Sequence, residues 1–537
     1  MIFYGSKLYS KKYCFIIMNL NYKKSLFAEL LPADTIENSS SRQVFEACYS
    51  YVSPKKPTNP ILRAFSDSVA SLLKIQKDTQ LSKDFLDIIS GNKVLLDTRP
   101  YAMCYGGHQF GQWAGQLGDG RAINLFDIET NHERWTLQLK GAGPTPYSRN
   151  ADGFAVLRSS IREFLCSEAM YHLNIPTTRA LSLCETGDEI LRDMLYNGNP
   201  KMEKGAIICR VAKSFVRFGN FEIFASRGDV DRLKQLTDFV ISNYYSHLER
   251  SSKSIYLEFL KEVAERTMKM IIDWQRVGFV HGVMNTDNMS ILGDTIDYGP
   301  FGFLDFYSPN YTPNTTDFNG RRYRFDNQLN IGMWNLVQLA NSLYPLIKEE
   351  EPIYMILNDI KEKSERGLFQ MYTEKLGLHL NAKSIDLTQE MLQNMEEEEI
   401  DYTIFFRQLS KIDKNTKLKS AYNIISIAFY KNEVSETIKN KWVQWLEQYM
   451  QEFKLLDERE EDRILKMNSI NPKYILRNYM LQIIIEAAEK EDYSLLHEMQ
   501  ILLKNPYDEM PNFEKWYTKM PDWARNKIGC SVLSCSS

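Results

Sequence analysis

Apolar residues recur at helical spacing over residues 154–171, 230–250, 257–276, 326–345, 384–395 and 421–452, and these stretches predict helices; 62–73 reads the same way. Strict alternation over 134–140, bounded by Gly141 and Pro144, predicts a strand. Residues 205–213 and 215–224 are two further strand candidates, and the apolar run 122–126 reads as a strand entered from a turn. Between 101 and 121 the texture differs, with glycines at 106, 107, 111, 115, 118 and 120, where backbone can approach a ligand closely. The order is therefore a glycine- and strand-rich region holding one long helix, followed by a mainly helical region. A two-lobed enzyme with a cleft between the lobes gives that order. We divide the chain into a leader (1–18), an N-terminal extension (19–100), a strand-rich lobe (101–225), a helical lobe (226–440) and a C-terminal helical extension with a cysteine-containing tail (441–537).

Composition adds exclusions. In 537 residues, 44% are hydrophobic and 25% charged, which supports a large core and ordinary solubility. The formal charge of -4 gives no basis for a nucleic-acid partner, and the basic clusters at 201–204 and 321–324 read as surface loops. No stretch approaches the roughly 20 apolar residues that span a bilayer, so no integral membrane association is expected. The first 28 residues hold five lysines and no acid, resembling a weak organelle presequence that lacks arginine; a disordered leader or a start at Met18 are the alternatives. Eight scattered cysteines make no disulfide framework and fit a reducing or only mildly oxidising compartment. Cys530 and Cys535, near a terminus read as exposed, are the redox candidates.

Three groups of residues carry candidate chemistry. Gly118-Asp-Gly-Arg121 places backbone amides and the Arg121 fork where phosphate oxygens can meet them, although an ordinary turn has the same composition. Lys140 ends the alternating strand, and Glu163 on the following helix can hold its ammonium toward phosphates, with Glu168 as competitor. Asp152-Gly153 lies in the loop between them. Arg210 and Arg217, seven apart around a turn, can converge on one anion from successive strands. The strongest block runs from His281 to Gly293 and on through Thr295-Ile-Asp297, read as polar loop then short strand. Asn288 and Asp297 offer hard oxygen ligands suited to Mg²⁺ beside phosphates, and His281 reads as architectural. In kinase-like phosphotransferases the order is His-x-Asp-x-x-x-x-Asn. Here His281 and Asn288 keep the spacing, but the position of the base is Val283. Either the site is silent, or it performs a different transfer with Asp287 as base. Phosphoryl transfer and a binding-only scaffold both stay open on these residues alone.

Longer blocks resemble one family. Tyr105-Gly-Gly-His-Gln-Phe-Gly111, Gln116 to Arg121, Gln138 to Arg149, Leu157 to Glu163, His281 to Met289, Asp297 to Asp305 and the tail Ser534-Cys-Ser-Ser537 are similar to the SelO (selenoprotein O, YdiU) family, from about residue 20 to the end. The resemblance implies an α+β, protein-kinase-like two-lobed fold with additional terminal segments. It implies a protein adenylyltransferase that binds ATP flipped relative to kinases and moves AMP to Ser, Thr or Tyr hydroxyls of protein substrates, with Mg²⁺ or Mn²⁺ and a role in redox or stress response. Separately from the resemblance, the abundance of Ser, Thr and Tyr, including Thr315 and Thr316 near the loop, leaves self-modification open without identifying a site. The resemblance assigns Gly118, Gly120, Arg121, Lys140, Asp152, Gly153, Arg210, Arg217 and Asp297 to nucleotide, Glu163 to the lysine, Asp287 to proton acceptance, and Asn288 and Asp297 to metal. Some bacterial members lock the tail cysteine to a loop cysteine; the matching position here is Pro313, which leaves Cys530 as the local partner for Cys535, or no pairing. Eukaryotic members point to the mitochondrion, with the cytoplasm as alternative.

Overall fold

A computed structural model describes residues 20–194, 198–249, 254–530 and 533–534. The leader at 1–18 and Cys535 lie outside them.

A nine-stranded antiparallel sheet forms the first lobe. Its order is Tyr49–Tyr51, Tyr101–Met103, Ala122–Thr130, Glu133–Lys140, Lys201–Ala212, Arg179–Arg192 and Ile61–Phe65, with Tyr22–Lys23 and Ala155–Val156 paired off this path. Register decides which side chains share a face. Lys140 stands opposite both Ala122 and Ile208, and Gln138 stands opposite Arg210. Because side chains alternate with period two, Lys140, Gln138 and Arg210 project from the same side of the sheet. The helix Leu157–His172 packs there and is buried along nearly its whole length, so Glu163 meets them from the opposite wall.

The second lobe is helical. Ile255–Val277 is its axis, closed by Gly278 in the left-handed conformation, and Gln328–Ile347 and Glu350–Lys375 lie beside it. Immediately after Gly278 the strand Phe279–Val280 pairs with Gly302–Phe303, and the loop between these two strands enters the cleft. This is the two-lobed, kinase-like architecture expected. Residues from the N-terminal strands and from the helices Asn478–Ala488 and Ser494–Leu503 join the same hydrophobic core as the sheet. Among the described residues no helix is long and apolar enough to cross a membrane.

Several local expectations change. Residues 215–224 form no strand; Phe218–Ser226 is a helix with Arg217 at its N-cap and Asn220 accepting from the Arg217 N–H at 2.8 Å. Residues 62–73 split into the strand Ile61–Phe65 and the helix Asp67–Leu72, because Ser66 caps the helix at its start. The stretch 421–452 is two helices, Leu418–Ser426 and Glu436–Lys454, the second capped by Ser435. Lys201–Lys204 opens a strand and is not a loop. Thr295 makes only an isolated bridge to Thr177, and Asp297 turns left-handed with φ 61°, so no strand forms there. Cys530 is buried at 5% exposure, which overturns the exposed setting expected for it.

Candidate active site

Between the lobes lies a cleft of about 720 Å³ whose lining includes Gly118, Gly120, Arg121, Lys140, Asp152, Gly153, Arg210, Arg217, Asp287, Asn288 and Asp297. Every nucleotide, metal and proton-accepting candidate read from the sequence is brought to one cavity. Glu163 stands behind it, holding Lys140 at 2.5 Å, whereas Glu168 is occupied by Arg179 at 2.8 Å and is no competitor. Arg210 joins both walls, donating to Glu163 at 3.0 Å and to Asp297 at 2.6 Å, with Gln138 accepting from its other face.

Arg217 does not come from a strand. Its position at a helix start lets it reach two parts of the loop, donating to the Asp287 carbonyl at 2.8 Å and to the Asp297 carboxylate. The anion on which Arg210 and Arg217 converge is thus the protein's own Asp297. Burial pushes that carboxyl up, but the charges of Arg217, Arg210 and Lys140 outweigh it and hold Asp297 well below the usual carboxylate range. Burial pulls Lys140 down, opposed by Glu163 and Asp297.

Asp287 has the opposite surroundings. Burial lifts its carboxyl to about 7, with the Gln109 hydrogen bond and the Arg217 charge pulling only partly back. One oxygen accepts from Gln109 Nε2 at 3.2 Å; the other, Oδ1, is buried and has no partner among the described residues. Gly107 lies directly over it, since a Cβ there would stand 2.9 Å from the Asp287 Cβ. Val283, in the place of a kinase base, is buried at 9% exposure. His281 is architectural: it is buried, and its Nε2 meets the Ile296 carbonyl at 2.9 Å, fixing the loop just before Asp297.

The donor set fits a divalent cation. Asn288 donates its amide to the Val283 carbonyl at 2.9 Å, while its Oδ1 accepts nothing among the described residues. That oxygen and the ionised Asp297 are hard ligands on one cleft wall. In the loop Gly118–Arg121, Gly118 has φ 91°, and a Cβ on it would overlap the Tyr147 ring at 2.4 Å. Only glycine fits this close turn, which keeps the amides at the cavity. Asp152 is tied by two bonds to Arg192, at 2.7 and 2.8 Å, so it faces the cleft already paired. Sequence reading missed Arg192, Gln138, Asn285 and the buried Asp119, which stands 4.0 Å from Arg217. Asp119 sits between the two glycines singled out, and Gln138 one alternation before Lys140, so period-two counting could have found the latter.

Cys530 is a free thiol that burial pushes up to about 11. The tail reaches the loop beside Pro313, where the Thr315 N–H donates to the Leu533 carbonyl at 2.8 Å.

A strand-rich lobe, a helical lobe and a lysine–glutamate pair facing an Asn/Asp loop define a kinase-like nucleotide enzyme. Comparison narrows the class. The family model described as protein adenylyltransferase SelO matches residues 35–504. The chain is 53% identical over 521 residues to the protein nucleotidyltransferase YdiU of Flavobacterium johnsoniae, covering 97% of this chain and 100% of that one. The proteins of the same name from Aromatoleum aromaticum and Rhodopirellula baltica are each 48% identical, covering 95% of this chain and 98% of theirs. The chain belongs to the SelO family of protein adenylyltransferases.

Proposed function

We propose that this adenylyltransferase moves AMP from ATP to Ser, Thr or Tyr hydroxyls of proteins with Asp287 as proton acceptor, and that the place of Asp287 in the cleft lining beside Asn288 and Asp297 is the observation that carries this role. A carboxyl lifted toward 7 by burial is matched to taking a proton near neutral pH. The acceptor hydroxyl passes its proton to Asp287 and attacks the α-phosphorus; the bond to the bridging oxygen of the β-phosphate breaks, and pyrophosphate leaves. Arg121, Lys140, Arg210 and Arg217 stabilise the charge that develops on the phosphate oxygens. Glu163 keeps Lys140 aimed at the cleft, and the glycine turn at 118–120 supplies backbone amides. Asn288 and Asp297 would hold Mg²⁺, or Mn²⁺, which when bound neutralises phosphate charge and supports the leaving pyrophosphate. Val283 supports placing the reaction at Asp287, because valine accepts no proton.

Purified protein incubated with Mg²⁺, a protein acceptor and ATP labelled at either the α- or the γ-phosphate tests this reading. Label from the α-phosphate on protein, with pyrophosphate released, is expected. Label from the γ-phosphate alone would mean phosphoryl transfer and would sink it.

A further inference from the structure

The mouth of the cleft beside Asp287 carries aromatic and cationic side chains that the transfer itself does not use. A small hairpin pairs His108–Gln109 with Gln112–Trp113, and its two tip residues, Phe110 and Gly111, both have positive φ, 50° and 84°. This is the twist that a two-residue hairpin loop requires, but a phenylalanine seldom adopts it. Here it is held in place, its N–H donating to the Tyr323 hydroxyl at 2.9 Å and to Asn285 Oδ1 at 3.2 Å. The result is that Phe110, which lines the cleft, and Trp113 on the same hairpin stand 37% and 39% exposed. Phe110 packs on the Tyr323 ring and Trp113 on the His108 ring, and each keeps part of its surface open to a partner.

Opposite them is a cation that makes no close ion pair among the described residues. The Arg322 guanidinium lies 4.7 Å over the Trp334 ring and against the hairpin tip, where a Cβ on Gly111 would be 3.2 Å away. Its neighbour Arg321 is exposed. Asp317 is turned inward, accepts the backbone N–H groups of Arg322 at 2.9 Å and Tyr323 at 2.7 Å, and feels the Arg322 charge without a close ion pair. Asp326 pairs with Arg324 at 2.6 Å. Among the described residues no carboxylate makes an ion pair with Arg321 or Arg322. This patch touches the chemistry directly, because Gln109 of the same hairpin bonds Asp287 and Asn285 lines the cleft.

We infer that this mouth is the docking surface for the acceptor protein, taken as an extended segment with an apolar or aromatic side chain and an acidic side chain flanking the hydroxyl. The apolar side chain packs on Phe110 and Trp113; the acidic one pairs with Arg322 and Arg321. The inference rests on the adenylyl-transfer reading for the identity of the site, and it adds which acceptor the site selects. Charge complementarity favours a protein segment over nucleic acid, since two cations fall short of the cluster that a phosphate backbone requires.

Binding can be read without any transfer. Two short fluorescein-labelled peptides, identical except for Asp or Lys beside a single Thr, are titrated with the full chain and followed by anisotropy. The Asp peptide is expected to bind roughly 10-fold tighter, about 1.4 kcal/mol. Arg322→Glu and Arg321→Glu are each expected to abolish or reverse that preference, and Trp113→Ala to weaken both peptides alike. Should Arg322→Glu melt early through loss of its stacking, Arg321→Glu, on the surface, carries the test. Equal affinity for the two peptides, a preference that survives Arg321→Glu, or tighter binding of a labelled oligothymidylate overturns the proposal. Absence of α-label in the transfer assay would remove the adenylyl reading and leave the anisotropy result standing on its own.

Discussion

Asp287 and Asp297 stand on one loop and line one cleft, yet their surroundings drive them apart. Asp297 is crowded by Arg217, Arg210 and Lys140 and stays ionised far below the usual range. Asp287 has Gly107 over it, one amide hydrogen bond and one empty oxygen, and rises to about 7. Two carboxyls with separated proton affinities are how one site divides labour between a fixed anion and a proton acceptor. Arg217 ties the two together, touching the backbone of one and the carboxylate of the other.

Breaking that tie has the largest expected effect. Arg217→Met leaves Asp297 short of its buried partner, so transfer of α-label should fall by about 10³-fold. Stability measured by urea unfolding should fall by about 3–5 kcal/mol. Loss of activity without loss of stability would mean that Arg217 serves only the nucleotide.

The comparison is sharpened by the two glutamates of the helix Leu157–His172. Glu163→Gln frees Lys140 from its orienting partner and should cost about 10- to 100-fold in rate, the range typical of such outer partners. Glu168→Gln disturbs the bonds to Arg179, Ser66 and Ser68, all away from the cleft. It should cost about 1–3 kcal/mol of stability in a thermal or urea melt and leave the rate per folded molecule unchanged. Equal rate losses in both would contradict the assignment of Glu163.

The smallest effect is expected at Cys530, another acid raised by burial but outside the cleft. With its thiol near 11, native protein at neutral pH should resist iodoacetamide at this position, and urea should expose it. Mass spectrometry of the alkylated peptide reads the result. Rapid native labelling would show that burial alone does not govern these groups.

Much of the site was legible because its chemistry is local in sequence. Alternation placed Lys140 at a strand end, and the polar block from 281 placed Asn288 in a loop, though Asp297 was read at the end of a short strand that does not form. What escaped depended on contacts distant in sequence. Phe218, Phe221 and Phe224 look β-prone, but their spacing of three is helical, and all three are buried within the helix Phe218–Ser226, with Phe215 buried just before it. The strand Arg179–Arg192 gave no alternating signal because its first eight residues are buried on both faces. That Arg210 and Arg217 grip Asp297 could not be read from a spacing of seven, since one sits on a strand and the other caps a helix. Cys530 was misjudged because nearness to a chain end says nothing about burial.

The division between the two acids is tested most directly by Asp287→Asn and Asp297→Asn in parallel, measuring Mg-ATP affinity and the single-turnover rate of α-label transfer. The account predicts that Asp287→Asn keeps nucleotide affinity and loses about 10²–10⁴-fold in rate, whereas Asp297→Asn loses affinity and rate together. Full transfer by Asp287→Asn, or equal loss of Mg-ATP affinity in both variants, would contradict it.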